Sequence, residues 1–521
     1  MSIELNMEQL SITEDKCPTN TRIINEADII VPDSKPDAVR VLEADAVPQI
    51  NEKYISRDYL TLSGTINYRI LYVSDGGTVE SIDYTAPFSQ QLDAHGADES
   101  MTSSVRCSVS HVEHTVRNSR KLNVKSAIDV CAHAYDMSSV SVVSGVVSDA
   151  SVPCKSAAAQ NFNLALCSES SFGVDDTVKL PAASPVIDEI LKCDVRIAES
   201  ELKVVTNKAV AKGRLALVTL YRSDGEIYCT ENEVPFTQIT DVDSIGADMY
   251  TEADYDIKNL SCERELDDDG TMSLISVHAD ICMTIRAYEE KNFEYISDVY
   301  SPDYDIEVSK SPIVISTPVD TASAQHTVTE SVAFNDGCTV DKIYSMTTNV
   351  CVEKCDISDD RVTVGGFVTV CLLGRGECGV CSAQRQIAFS HTLTLSRRFD
   401  DCCVRAFGDA AVEHASYNIE SDTAVQVRIA LRISAKVMCN QQVDAVTNIV
   451  LDEEKKIDKS AQSGITVYFV QTDDELWDIA KRYHTTSDDI IAANKLEDDA
   501  VLSVGQQLLI PKRSRAWLPV D

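Results

Sequence analysis

The chain has 521 residues, 44% of them apolar and 25% charged, with a formal net charge of −37. That length exceeds one ordinary domain and predicts three or four, each rich enough in apolar residues to bury its own core. The acidity opposes binding to nucleic acid, anionic lipid or anionic wall polymer, because each would meet a field of like sign.

Residues Met1 to Pro18 contain four acidic side chains and no apolar run of signal-peptide length. No later stretch approaches the ~18 apolar residues that a membrane span needs. A cytoplasmic location is therefore expected. The 18 cysteines mostly fall in strand-like runs, as at Cys131, Cys282 and Cys371, where the side chain acts as a small apolar residue. Reduced thiols are expected.

Next comes a repeat. Val31-Pro32, Pro36 and Val41-Leu42 align with Leu180-Pro181, Pro185 and Ile190-Leu191 at an offset of 149. The same offset places Gly64 on Gly213 and Tyr72 on Tyr221, and Pro87-Phe88-Ser89 meets Pro235-Phe236-Thr237 after one deletion. A more divergent third copy puts Gly366 on Gly213 and Phe389 on Phe236; the tyrosine position becomes Gly374 and both prolines are lost. Three repeats are expected, over residues 1–165, 166–305 and 306–450.

Within a copy, Pro36 followed by Asp37 to Leu42 predicts a short helix, proline being accommodated in a first turn. Leu60, Leu62, Gly64, Ile66, Tyr68, Ile70 and Tyr72 then alternate with mostly polar residues, the period of a strand with one buried face. Asp75-Gly76-Gly77 predicts a turn, and Val79 to Tyr84 the returning strand. Later strands follow around Leu122 to Cys131, Met272 to Cys282 and Val425 to Ile433. The fold class is mainly β: three tandem sandwich-like or barrel-like repeats, with the choice between the two left open.

Residues 451–464 are polar and predict a linker. A β-α-α-β module follows over residues 465–512. Thr472 and Glu475 have capping-box spacing, and Leu476, Ile479, Ala480 and Tyr483 share a helical face. Thr486 with Asp489 signals a second helix, and a closing strand ends at Pro511. Residues 513–521 form a tail carrying Trp517, beyond the strand. Trp477 is read either as core or as a partner anchor.

No catalytic constellation or cofactor motif is evident: there is no Gly-x-Ser-x-Gly, phosphate-binding Gly-Lys-Ser or His-Glu-x-x-His element. The chain is expected not to be an enzyme, and neither cofactor nor metal is expected. One candidate metal set deserves a test, since Cys351, Cys355, Cys378 and Cys381 resemble the paired ligands of a zinc ribbon. Against it, the first spacing is loose and the other repeats lack cysteine at the equivalent positions.

The terminal module resembles a LysM domain through Tyr468, Leu476-Trp477-Asp478-Ile479-Ala480-Lys481-Arg482-Tyr483, Ile490, Asn494 and Val504 to Pro511. The resemblance implies a groove between the loop before the first helix and the loop after the second. Family members usually bind N-acetylglucosamine chains there. Here Gln471-Thr472-Asp473-Asp474 replaces the glycine-containing loop common in the family, and the module is acidic. The groove residues implied are Gln471, Thr472, Asp473, Asp474, Trp477, Asn494 and Leu496.

The repeats resemble SPOCS domains, on Asp28 to Asp37, the Gly64 to Tyr72 strand and Pro87-Phe88-Ser89. Three such repeats and a LysM domain are similar to the SipL-like morphogenetic proteins of endospore-forming bacteria. That resemblance implies a non-catalytic scaffold in the mother-cell cytoplasm, at the surface of the developing spore. Its expected partner is the coat-basement ATPase, stage IV sporulation protein A, bound through the LysM module. Other coat proteins and self-association through the repeats, read as spaced β platforms, are further expectations. The alternative is a peptidoglycan-binding envelope protein, which would require export.

Overall fold

The computed structural model describes residues 3–16, 19–334, 338–377, 379–396, 403–458, 463–497 and 502–512. Repeat 1 comprises β1 (Ile3–Asp15), β2 (Thr19–Ile30), β3 (Ala38–Ser56), β4 (Tyr59–Ser74), β5 (Val79–Asp93), β6 (Thr102–Asn118) and β7 (Lys121–Ser148). Repeat 2 comprises β8 (Cys154–Lys179), β9 (Glu189–Val205), β10 (Lys208–Ser223), β11 (Glu226–Asp241), β12 (Tyr250–Leu266) and β13 (Met272–Val299). Repeat 3 comprises β14 (Tyr304–Ala333), β15 (Lys342–Ser358), β16 (Arg361–Gly376), β17 (Gly379–Thr394), β18 (Cys403–Ser421) and β19 (Ala424–Lys456). The C-terminal module is β20 (Ile465–Phe469), α1 (Leu476–Arg482), α2 (Ser487–Asn494) and β21 (Gln507–Pro511).

Each repeat is a sandwich of two antiparallel sheets. The first sheets have the orders β3-β4-β5, β9-β10-β11 and β15-β16-β17. Opposite them lie β2-β7-β6, β8-β13-β12 and β14-β19-β18, so β1 and β2 together do in repeat 1 what one long strand does in the others. The period-two alternation read in β4 supplies the buried layer: Leu60, Leu62, Ile66, Tyr68, Ile70 and Tyr72 face Leu122, Val124, Ile128 and Val130 of β7. Between the layers, the Tyr68 hydroxyl lies 2.7 Å from Ser126 Oγ.

The repeated sequence signals have specific physical reasons. Gly64 stands opposite Ile50, where β3 bulges, and a Cβ there would lie 2.0 Å from the Gln49 carbonyl oxygen. Gly366 crosses the equivalent bulge in β15, with a Cβ position 2.0 Å from the Cys351 carbonyl oxygen. The Tyr72 hydroxyl donates to the Pro36 carbonyl (2.9 Å), and Tyr221 donates to Pro185 (3.4 Å). When the third copy replaces the tyrosine by Gly374, the prolines lose that role. The predicted helix over 37–42 is instead the start of β3: Ala38 pairs with Ser74 and Val41 with Tyr72, and the β-branched Val39 and Val41 suit a ladder.

The repeats are not spaced platforms in series. They close into a ring about a pseudo-threefold axis. At one end of the axis, β1/β7, β8/β13 and β14/β19 extend as two-stranded ribbons whose residues Leu10, Val142, Phe293, Tyr295, Ile313 and Val443 share one core. The buried Asn161 amide joins the three ribbons: its Nδ2 donates to Ser11 O (3.1 Å) and its Oδ1 accepts from Ser316 N (3.3 Å). At the other end, equivalent residues from each copy meet: Leu42, Leu191 and Tyr344; Leu71, Leu220 and Leu373; Val79 and Ile227 beside Val380.

Polar contacts seal each junction. Between repeats 1 and 2, Lys192 Nζ reaches Glu43 (2.9 Å), Asp45 (2.5 Å) and Asp194 (3.0 Å). Burial, with Asp45 close by, pushes Glu43 up to about 7. Arg375 pairs with Glu226 (2.7 Å) between repeats 2 and 3. Arg40 donates to Val380 O (2.6 Å) and Gln386 to Ser110 O (2.9 Å), closing repeat 3 on repeat 1. Head-to-tail contacts that return to the start satisfy every copy's interface within one chain.

Three further expectations change. β8 and β14 run unbroken through the expected boundaries after residues 165 and 305, because each is a ladder strand over its full length. β19 continues through Lys456, paired with β14, so residues 451–456 of the expected linker are strand. Cys439 is disulfide-bonded, so thiols are not reduced throughout.

Candidate functional site

In the terminal module, β20 and β21 pair antiparallel from Ile465↔Pro511 to Phe469↔Gln507, and the helices cover one face. Ile479, Ala480, Ile490, Leu508 and Ile510 form its core. The second helix begins as expected, with Thr486 Oγ1 accepting from Asp489 N (3.2 Å). The first does not. Its N-cap is Glu475, without a side-chain cap, and Thr472 is not part of it. The competing interaction is local: Asp474 Oδ2 accepts from Tyr468 Oη (2.6 Å) and from Gln471 N (2.7 Å), which fixes residues 471–474 as a tight turn. The Tyr468 hydrogen bond, then the Gln471 backbone, hold the Asp474 carboxyl below its ordinary range. Asp473 occupies the left-handed region (φ 64°) without being glycine, a conformation that aspartate tolerates.

The seven expected groove residues thus divide. Gln471, Thr472 and Asp473 are exposed at the tip of the turn. Asp474 holds the turn. Asn494 clamps α2 to β21: Nδ2 donates to Ile490 O (2.8 Å) and Leu509 O (2.7 Å), while Oδ1 accepts from Leu509 N (2.7 Å). Leu496 packs on the module's core.

Trp477 turns toward the repeats. Its Nε1 donates to Asp298 Oδ2 at the end of β13 (2.8 Å), and its ring meets Tyr300 edge-on at 4.9 Å. Around it, Lys481 pairs with Asp298 (2.7 Å), Lys155 with Glu475 (2.6 Å), and the buried Tyr300 hydroxyl donates to Thr485 O (2.9 Å). Burial raises the Asp298 carboxyl, but hydrogen bonds from Lys481, Trp477 and Lys310 outweigh it and leave it at about 2. The module is therefore bolted to the ring, not tethered beside it.

Sequence reasoning missed the outward face of the β20–β21 ribbon. Ile465, Val467 and Phe469 are 61%, 47% and 58% exposed, and Leu509, opposite Val467, is 38% exposed. A run of apolar side chains on an open sheet face is characteristic of an interaction surface. The signal was present as the alternation of Val467 and Phe469 about Tyr468, whose side chain points to the other face.

Elsewhere, a cavity of about 1810 Å³ opens between the repeats. Four pairs of its charged groups answer one another: Arg22 with Asp129, Arg286 with Asp254, Lys436 with Glu252, and His133 with Asp15. Hydrogen bonds that the His133 imidazolium donates to Asp15 and Cys131 raise it to about 9. The zinc-ribbon reading does not survive the register. Cys351 stands opposite Phe367 and Cys381 opposite Gly374, seven residues along β16, or roughly 23 Å. Cys378 and Trp517 lie outside the described residues. Among those described, no group of three or more His, Cys, Asp or Glu is placed to hold a metal, and no helix is long and apolar enough to cross a membrane.

Comparison with known families identifies each part. The model described as SipL, SPOCS domain, matches residues 37–117, 186–265 and 339–420, which correspond to β3–β6, β9–β12 and β15–β18. The LysM domain model matches residues 468–511. No curated protein matches the chain.

Proposed function

Since the chain belongs to the SipL family, with three SPOCS domains and a C-terminal LysM domain, we propose that it captures the coat-basement ATPase, stage IV sporulation protein A, through the LysM module. Both domain families are non-catalytic, and they support a coat-related scaffold in sporulation. In this reading the chain is not an enzyme and acts in the mother cell at the surface of the developing spore.

One observation carries the choice of a protein ligand. Ile465, Val467, Phe469 and Leu509 form an open apolar face, continuous along the chain with the exposed Gln471-Thr472-Asp473 turn. Burying such a face against another protein is favourable. A sugar chain needs close backbone approach at the turn, which glycine permits and Thr472 and Asp473 obstruct. The turn and the apolar face are the contact surface, with Asp474 and Asn494 holding it in shape, Leu496 supporting it and Trp477 fixing its direction.

The test is co-purification of the ATPase with the full chain carrying Phe469→Glu, or Gln471→Ala with Thr472→Ala. Both sites are exposed, so folding should persist. Capture should fall at least tenfold with Phe469→Glu. Capture undiminished by either variant overturns the proposal.

A further inference from the structure

Repeat 2 contains a thiol pair that its sister repeats lack. Cys193 lies on β9 and Cys262 on β12, each the edge strand of its own sheet, and their Sγ atoms are 2.6 Å apart. Both are free thiols. That separation is below sulfur van der Waals contact and close to the ~2.05 Å of a disulfide bond. In repeat 1 the position of Cys193 is Ala44, and in repeat 3 it is Met346. Cys193 is buried, whereas Cys262, on the edge strand β12, is only partly buried against the same core and is the member a small reagent meets first. Hydrogen bonds from Cys262 and then Thr219 favour the Cys193 thiolate despite its burial, and the proton is held on Cys262, whose thiol is pushed upward.

We propose that Cys193 and Cys262 are a redox modification site, oxidised to a disulfide by a low-molecular-weight disulfide. Cys262 passes its proton to the adjacent Cys193 sulfur as it attacks the reagent's S–S bond, and the small thiolate released takes up that proton. The Cys193 thiolate then attacks the Cys262 sulfur of the mixed disulfide and releases the second. Two protons pass to the two leaving thiolates, and the two electrons taken from the cysteines reduce the reagent.

The bond staples the two sheets of repeat 2 across a separation of 69 residues in the chain, long enough to restrict the unfolded state strongly. It also fixes the part of β9 that carries Lys192 and Asp194 into the junction with repeat 1. Arg69 of repeat 1 donates to the Cys193 carbonyl (3.3 Å) at that place. Oxidation therefore makes the ring more resistant to opening at the junction of repeats 1 and 2. This inference is independent of what the LysM module binds.

The experiment equilibrates the full chain in graded mixtures of reduced and oxidised glutathione. Acid quenching, alkylation and non-reducing peptide mass spectrometry follow. The expected result is a Cys193–Cys262 linked peptide that has lost two hydrogen masses, with slower amide exchange in β9 and β12. The Cys262→Ser variant should fold, since the site is on a partly exposed edge strand, and should lose the oxidation-dependent slowing of exchange. Recovery of both cysteines singly alkylated under the most oxidising mixture overturns the proposal. Pairing of either with a different cysteine overturns it equally.

Discussion

Replacing Asp298 with alanine should release the LysM module from the ring. The carboxylate accepts from Trp477 Nε1 at 2.8 Å, from Lys481 Nζ at 2.7 and 2.9 Å, and from Lys310 at 3.2 Å. Losing the charge-assisted indole hydrogen bond should cost about 1.5–3 kcal/mol. The more exposed lysine pairs add about 1 kcal/mol at most. A total of about 2–4 kcal/mol lowers the docking equilibrium roughly 30- to 800-fold. The edge-on Tyr300–Trp477 contact, the Tyr300–Thr485 hydrogen bond and the Lys155–Glu475 pair remain, and they alone should not hold the module. Hydrogen exchange over residues 476–485 and protease cleavage near residue 458 report the release. Both should accelerate in Asp298→Ala, while exchange in β4, β10 and β16 stays unchanged. Wild-type protection of residues 476–485 in this variant would refute the docking mechanism.

Four other outcomes follow from the same geometry. Gly64→Ala places a methyl 2.0 Å from the Gln49 carbonyl oxygen and should destabilise repeat 1 by about 3 kcal/mol, read as faster exchange in β3 and β4. Asn494→Ala removes two hydrogen bonds between α2 and β21 and one within α2; it should cost the module about 2 kcal/mol, measured by urea unfolding of its helical signal. Asp298 has a folded value of about 2 against an ordinary 3.8. Its contribution is present above pH 3.8 and lost as pH falls through 2, so exchange over 476–485 should accelerate in acid more in wild type than in Asp298→Ala. His133 is raised from 6.5 to about 9 by Asp15. Its contribution is complete below pH 6.5 and lost as pH rises through 9, so the Tm advantage of wild type over His133→Gln should shrink across that window.

What the sequence revealed was local. The strand at Gly64 to Tyr72, its turn and its returning partner are periodic and self-contained, and the glycine recurs because each first sheet crosses a bulge at that point. The LysM core was equally plain, since its apolar helical stripe lies within a dozen residues. Closure of the ring was not legible. Leu42 and its equivalents Leu191 and Tyr344 fall in the stretch that reads as a short helix, and only their distant convergence gives them a shared core. Pro36 suggested a helix because its carbonyl's partner, Tyr72, lies 36 residues away. Trp477 could not be assigned because the group that decides its orientation, Asp298, is 179 residues distant. Thr472 offered a capping box, yet Asp474 won the local competition through Tyr468 on the neighbouring strand.

The most direct measurement is calorimetric titration of the full-length chain with the purified ATPase, and in parallel with an N-acetylglucosamine oligomer. Saturable binding of the ATPase, weakened at least tenfold by Phe469→Glu, with no heat from the oligomer, is the expected result. Saturable binding of the oligomer, with none of the ATPase, would contradict the account.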